Sequence, residues 1–519
     1  MITAQRLVER SLASFAPKLA VIDAQRRVTY AALAERTARL AAVLMSAGAG
    51  RDRPVVMWLP NGLEFIECDV ACMRAGIPRV AVGDRLTAEE CAFIVGHAEA
   101  VVLVTTAPLF EQVRDVLPET MALSLVLDLD GARMGGRVAG YEGALAGAAP
   151  TTSFAVVPAG HPSYILYTSG TTGRPKGAAH SHGSRAAGTL NMFASELRGL
   201  DHSAVYLHIA PLSHGSGSKL LPVIAAGGCS VVLRGFDRDV MADTIRAERV
   251  THTFLVPTII QRLLSAGPEV GDSLRTLRQI TFGGSPIAPH VFREAIASFG
   301  PILTQIYGSS EMPHPVTVLR PEDYSELDDR TLLSAGRAAF GVDVKIVDES
   351  GARASAGAPG ELLIAGAQAM VGYWRDEAAT REVMTDDGYY RSGDVARVDP
   401  DGLVTLQDRQ RDVVISGGMN VYPSEVERVL SEHPSVDQVA VVGAPDGEWG
   451  ESVVAFVVAS ASAPVTTDDL LAWTRPRLAS YKKPRRIVFV TELPIGPTGK
   501  VLKRDLREEL WRDHDRQVG

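Results

Sequence analysis

The chain has 519 residues, 46% hydrophobic and 22% charged. That balance leaves room for about three domains and excludes a disordered chain, a fibrous repeat and a disulfide-stapled miniprotein. Lys and Arg number 52 against 61 Asp and Glu, a net charge of −9, which argues against broad nucleic-acid or anionic-membrane binding and still allows a local basic pocket for one nucleotide.

From the N-terminus, MITAQRLVERSLASF carries Glu9 and lacks the apolar segment of a secretory signal. No apolar run approaches the length of a membrane span. The final DRQVG is not a peroxisomal address, and the cytoplasm is the expected compartment. The run 55–60, VVMWLP, predicts a strand, and 62–76 predicts a helix. Cys68 and Cys72 lie on one face of that helix as small core residues; four cysteines in a chain this long make no disulfide framework. RVAVG, a helix from Thr87, 101–106 and 123–129 continue the alternation, which resumes at 163–168, 204–210, SVVLR, THTFLV, QITF and ILTQIY. Strands alternating with helices predict parallel α/β sheets covered on both faces, with ligand sites past the carboxyl ends of the strands. Between the two halves, 131–150 is rich in Gly and Ala and reads as a surface connection. After about residue 330 the texture becomes antiparallel, with Asp401-Gly402 as a turn between two strands. Beyond 408–412 a small α+β unit of about a hundred residues follows. Ser424 and Glu427 are expected to form a capping box at the start of its first helix.

The strand 163–168 runs into SGTTGRPKG at 169–177. Glycines let backbone N–H groups converge on an anion, hydroxyls add donors, and Lys176 adds a mobile positive charge, so the loop suits phosphate. It is not a Walker-type loop: Lys176 follows Gly173 by three residues and precedes Gly177. GPTGKV and GSGSKL fail the tests for a P-loop and for a dinucleotide fingerprint. The loop YTSGTTGRPKG at 167–177 resembles the signature of the adenylate-forming superfamily, the group of acyl- and aryl-CoA ligases, peptide-synthetase adenylation domains and luciferases. Eight further motifs of that superfamily follow in order: PLSHGSG, FGGSP, QIYGSSE, GELLIAG with GYW, YYRSGD, DRQRD, SGGMNVYPSEVE and PTGK.

The resemblance implies an α/β fold: a large N-terminal AMP-binding domain of stacked α/β sheets with a β-rich subdomain over 1–408, a hinge at 409–412, and a small mobile α+β domain over 413–519. It implies a two-step reaction. A carboxylic acid attacks the α-phosphorus of ATP with release of pyrophosphate, and a thiol, usually that of CoA, then displaces AMP. By the same resemblance Thr168, Ser169, Gly170, Thr171, Thr172, Gly173 and Lys176 hold the β- and γ-phosphates. Glu311 is the Mg²⁺ ligand; a hard cation wants carboxylate oxygen. Tyr307 stacks on adenine within a segment that includes Gly308, Ser309 and Ser310, the last standing where the superfamily usually has Thr. Gly283, Gly284 and Ser285 lie along the adenine and the acyl-adenylate. Asp394 accepts the ribose hydroxyls, and Arg409 reaches ribose or phosphate. Lys500 contacts the attacking carboxylate and the α-phosphate. Gly417 and Gly418 let the CoA arm pass, and His214 lines the acyl tunnel. Arg411 stands at the pivot, where the superfamily usually has Asp or Lys, which bears on domain alternation and on CoA as acceptor.

The leading expectation is therefore an AMP-forming acid–CoA ligase that uses ATP, Mg²⁺ and CoA. The second is an adenylating enzyme that passes its acyl group to a carrier-protein thiol or an amine. A third, a binding protein that has lost its chemistry, is opposed by the presence of Lys500, Glu311 and Asp394. The acid pocket is expected around Met192, His214, Gly215, Val256, Gly284, Met312 and Pro313. Gly215 and Ser216 leave space and polarity that favour a substituted aryl or cyclic acid. A homodimer is the habit of such chains.

Overall fold

The computed structural model describes residues 2–84, 86–117, 123–131, 137–168, 175–265, 270–324, 326–460, 463–496 and 501–512. Strand Val55–Trp58 is buried along its whole length and lies at the middle of an eight-stranded sheet. It pairs in parallel with Arg79–Val82 and Val102–Thr105. A strand covered on both faces has no polar side to show, which is why these segments read as continuous apolar runs. A nine-stranded sheet contains the second series, in which Val205–His208, His252–Leu255, Gln279–Gly283 and Leu303–Tyr307 run parallel.

The two sheets share one core. Val55 and Met57 of the first and Val21 and Val232 of the second meet Leu33, Leu40, Phe65 and Leu221 on the helices between them. The opposite faces carry their own clusters, with Val56, Trp58 and Ile94 on one sheet and Leu207, Ile280 and Phe292 on the other. One ionic group is enclosed here. Asp69 accepts from Arg79 at 2.8 Å and from Arg185 at 2.6 Å. Burial would raise its pKa, and the two guanidiniums hold it down at about 2.

A four-stranded antiparallel sheet covers Val342–Val347, Gly360–Gly366, Tyr390–Val398 and Val404–Arg409. The turn at Asp401-Gly402 closes its last hairpin, with Gly402 at φ +81° and Asp399 accepting from the N–H groups of Asp401 and Leu403. Strands from Val414 to Phe489 make a five-stranded sheet with its own apolar cores. Helices Pro423–Ser431, Thr467–Thr474 and Lys503–Trp511 accompany it. Among the described residues, no helix is long and apolar enough to cross a membrane.

Two local expectations are corrected. Ser424 and Glu427 form no capping box. The helix begins at Pro423, whose fixed φ suits a first position, and its preceding residue Tyr422 makes no side-chain cap. Ser424 instead donates its hydroxyl to Gln407 O and its N–H to Asp408, while Glu427 accepts from Val441 N–H and pairs with Lys503. The segment 131–150 is also more than a surface connection. Val138–Gly140 adds an edge strand beside Leu125–Asp128, and helix Tyr141–Gly147 buries Tyr141, whose hydroxyl donates to Glu67 at 2.8 Å. Cys68 and Cys72 are both buried in the inter-sheet core.

Candidate active site

Strands Pro162–Thr168 and Lys176–Ser181 form an antiparallel hairpin in which Thr168 faces Lys176 and Tyr167 faces Gly177. The loop residues Ser169, Gly170, Thr171, Thr172 and Gly173 lie outside the described residues, but both feet of the loop are held in register. Gly177 must be glycine, because an added Cβ would sit 2.8 Å from Ile165. The short strand Gly372–Tyr373 pairs with Ala178 and Ala179, which brings Tyr373 beside the loop's exit. The Lys176 ammonium lies 5.3 Å from the centre of the Tyr373 ring. The Tyr373 hydroxyl donates to Glu311 at 3.0 Å. Burial, and Glu311 beside it, push that phenol well above its ordinary pKa, so it remains a proton donor to the carboxylate. A cavity of about 260 Å³ adjoins this corner, bounded by Phe93, His97, Lys176 and Trp374.

Strand Leu303–Tyr307 ends at the second cluster. Tyr307 donates its hydroxyl to Asp394 at 2.5 Å, and Asp394 faces Arg409 across the antiparallel pair, with Nε 3.4 Å from the carboxylate. Asp394 is only 9% exposed. Burial and the adjoining Asp394 charge push the Tyr307 pKa far up, and Asp394 and Asp412 offset the burial of Arg409, raising its pKa. The turn after Tyr307 is closed by two bonds, Ser309 N–H to Met312 O and Met312 N–H to the Ser309 hydroxyl. It is pinned from below by His180, whose Nε2 lies 2.8 Å from Ser310 O.

Gly283 ends its strand where an added Cβ would meet Ile306 O at 2.4 Å. Gly284 follows at φ +91°, and Gly284 and Ser285 are exposed. The structure thus gathers residues from three sheets: Thr168, Lys176, Tyr307 and Arg409 at strand ends, Asp394 within its strand opposite Arg409, and Glu311 in the turn after Tyr307. His214 stands apart on the segment before Gly215–Lys219, exposed, with Ser213 Oγ at 2.8 Å. Gly417 and Gly418 form the turn of hairpin Val414–Val421, both with positive φ, and Gly417 packs on Trp449. Lys500 lies outside the described residues. Its neighbourhood is anchored by the bridge between Ile495 and Val501 and by the ion pairs Lys503–Glu427 and Arg507–Asp412. Lys482 is paired with Glu425 at 2.7 Å.

Sequence reasoning missed Tyr373 as the link between Lys176 and Glu311; the GYW motif was its only trace. It also missed a buried array beside the expected acid pocket. Lys219 and Glu196 form an ion pair with neither side chain exposed, and His314 sits against both. Phe254 lies parallel to His314.

The description of the AMP-binding enzyme family matches residues 8–374, and that of the AMP-binding enzyme C-terminal domain matches residues 425–500. The chain is 35% identical over 487 residues to the feruloyl-CoA synthase of an Amycolatopsis species, covering 93% of this chain and 94% of that protein. It is 32% identical to the amide bond synthetase McbA from Marinactinospora thermotolerans, with a TM-score of 0.86 over 97% of this chain and 99% of the other. ATP-bound MatB from Rhodopseudomonas palustris is 29% identical, with a TM-score of 0.89 over 99% of each chain. The ordered motifs, the paired α/β sheets and these likenesses lead to one conclusion: the chain belongs to the AMP-binding enzyme family of the adenylate-forming superfamily.

Proposed function

We propose that this chain activates a carboxylic acid with ATP and then transfers the acyl group to the thiol of CoA. A carboxylate oxygen of the acid bonds to the α-phosphorus while the bond to the bridging oxygen breaks and pyrophosphate leaves. In the second step the CoA sulfur bonds to the acyl carbon, its proton passes to solvent, and AMP leaves. The observation that carries this reading is a pair of groups, Tyr307–Asp394–Arg409 and Lys176–Tyr373–Glu311, near enough that the Glu311 charge acts on Arg409, with Lys176 at the foot of the loop suited to phosphate.

Each group has a task its chemistry suits. Asp394 receives one hydrogen bond from Tyr307 and keeps lone pairs for a vicinal diol, the ribose of the nucleotide. Arg409 neutralises charge beside it. Lys176, at the foot of the loop, meets the negative charge that grows on departing pyrophosphate. Glu311, fixed by Tyr373, offers the hard oxygen that fits Mg²⁺, which when bound there would neutralise further phosphate charge. Lys500, carried by the small domain about the segment 409–412, would stabilise the attacking carboxylate and the α-phosphate. Arg411 need only absorb a dihedral change at that pivot. Gly417 and Gly418, which lack side chains, suit close passage of the CoA arm.

The test is pyrophosphate release over a panel of carboxylic acids, with and without CoA. Acid-dependent release with formation of a CoA thioester is expected; intact ATP with every acid would refute the reading. A second reading, transfer to an amine, is favoured by the likeness to an amide bond synthetase. It would be established by an amide product from an acid, ATP and an amine, together with no stimulation by CoA.

A further inference from the structure

The chain after Tyr307 doubles back so that His314 lies beside Phe254, their rings parallel within 2° and their centres 6.4 Å apart. Two glycines make room for this pair. A Cβ on Gly215 would lie 3.0 Å from the Phe254 ring, and one on Gly308 would lie 2.5 Å from His314 N. Behind the pair, Lys219 Nζ is 3.0 Å from His314 Nδ1 and is ion-paired with Glu196. In front, His314 Nε2 is 2.9 Å from Ser218 Oγ, and the Ser218 hydroxyl donates to Gly215 O at 2.6 Å.

Burial opposes charge on Glu196, but Lys219 holds the carboxyl down at about 2, so it is ionised. Burial, and the Lys219 ammonium beside it, lower His314 and keep it neutral. His314 Nδ1 lies between Lys219 Nζ at 3.0 Å and Glu196 Oε2 at 3.3 Å, and in either tautomer the single Ser218 O–H has an acceptor, Gly215 O or His314 Nε2. At least one Ser218 lone pair is left in either case, with no partner among the described residues. Ser218 and His314 are the partly exposed edge of the array, and Lys219 and Glu196 are its closed floor.

We propose that Ser218 Oγ recognises the far end of the acid, so that the substrate is a compact ring-bearing acid carrying a hydroxyl or N–H donor on the ring. This rests on the reading that the chain adenylates an acid. The partly exposed His314 ring, backed by the parallel and buried Phe254, suits contact with a ring. An acceptor whose only donors are already used discriminates a hydroxyl from its ether. A long alkyl chain has nowhere to go, because a buried ion pair cannot be pushed aside by methylenes without stranding its charges.

The test measures kcat/KM for pyrophosphate release with benzoic, phenylacetic and cinnamic acids. Each is offered as its meta- or para-hydroxy form, the matching O-methyl ether and the unsubstituted parent, with dodecanoic acid alongside. In the ring series of best-fitting length the hydroxylated acid is expected to lead both analogues by about tenfold or more, with dodecanoic acid at the foot of the panel. Ser218→Ala should bring hydroxyl and ether within about twofold while the KM for ATP stays unchanged, which shows the fold intact. The inference is overturned if the ether or dodecanoic acid is used as well as the hydroxylated acid, or if the preference survives Ser218→Ala. No release with any acid would instead overturn the adenylation reading, and this inference with it.

Discussion

Four histidines make the large domain sensitive to mild acid. His180, His182, His208 and His252 are all buried, and burial drives them down to about 4, 3, 3 and 4. In the unfolded chain each returns to the ordinary value near 6.5. As pH falls below 6.5 the unfolded chain takes up protons that the folded chain refuses, so stability drops through the interval from 6.5 to about 4. The slope is about 1.4 kcal/mol per pH unit for each histidine. At pH 5 each therefore costs about 2 kcal/mol, and the four together about 8 kcal/mol, comparable to the whole stability of a typical domain. Asp69, held near 2, keeps its contribution over this interval and loses it only below about 4. Urea unfolding followed by circular dichroism at pH 7.5 and pH 5.0 should show a large fall in midpoint at unchanged slope. His208→Gln removes one titrating group and should recover about 2 kcal/mol of the pH-dependent loss, whatever it does to stability at pH 7.5. Equal midpoints at the two pH values would refute the reasoning.

Other expectations concern the reaction. Asp394→Asn should raise the KM for ATP by about tenfold to a hundredfold, the scale of a lost hydrogen bond to a charged group, and Tyr307→Phe should act in the same direction more weakly; steady-state pyrophosphate release reads both. Lys500→Ala should lower adenylation by on the order of 10²–10³-fold while thioester formation from supplied acyl-adenylate survives, and equal loss of both half-reactions would count against its assigned role. Ser424→Ala removes the bond to Gln407 O, worth about 1 kcal/mol. If residues 409–412 are the pivot, trypsin should then cut after Arg411 about fivefold faster, and an unchanged rate would show that Ser424 does not latch the small domain.

Much of the fold was legible because burial on both faces leaves a plain mark. Val55–Trp58 and Val102–Thr105 are apolar at every position since neither face meets water. The turn at Asp401-Gly402 was legible because a positive φ favours Gly there. Ser424 and Glu427 misled because a local spacing was outbid by Gln407 and Asp408, seventeen and sixteen residues away. The order in 131–150 comes from Tyr141 reaching Glu67, seventy-four positions distant, which no local pattern reveals. At the site, the motif residues were foreseeable as a set, and the structure brings Tyr307, Asp394 and Arg409 together. The array of Glu196, Lys219 and His314 was not foreseeable. A lysine followed by an apolar helix looks solvent-seeking until a glutamate twenty-three residues before it is found closing on it. Ser169–Gly173 and Lys500 remain expectations drawn from their motifs.

Ser218 and the Tyr307–Asp394 pair belong to different elements, and this has an evolutionary consequence. The grip proposed for the nucleotide belongs to sheet strands, whereas Ser218 and His314, proposed to meet the acid, belong to a short turn and a returning segment. A lineage could therefore retune its diet by exchanging residues 218, 254 and 314 while its fuel handling stayed as it was. Libraries randomised at those three places should yield new acid preferences far more readily than libraries randomised at 307, 394 and 409.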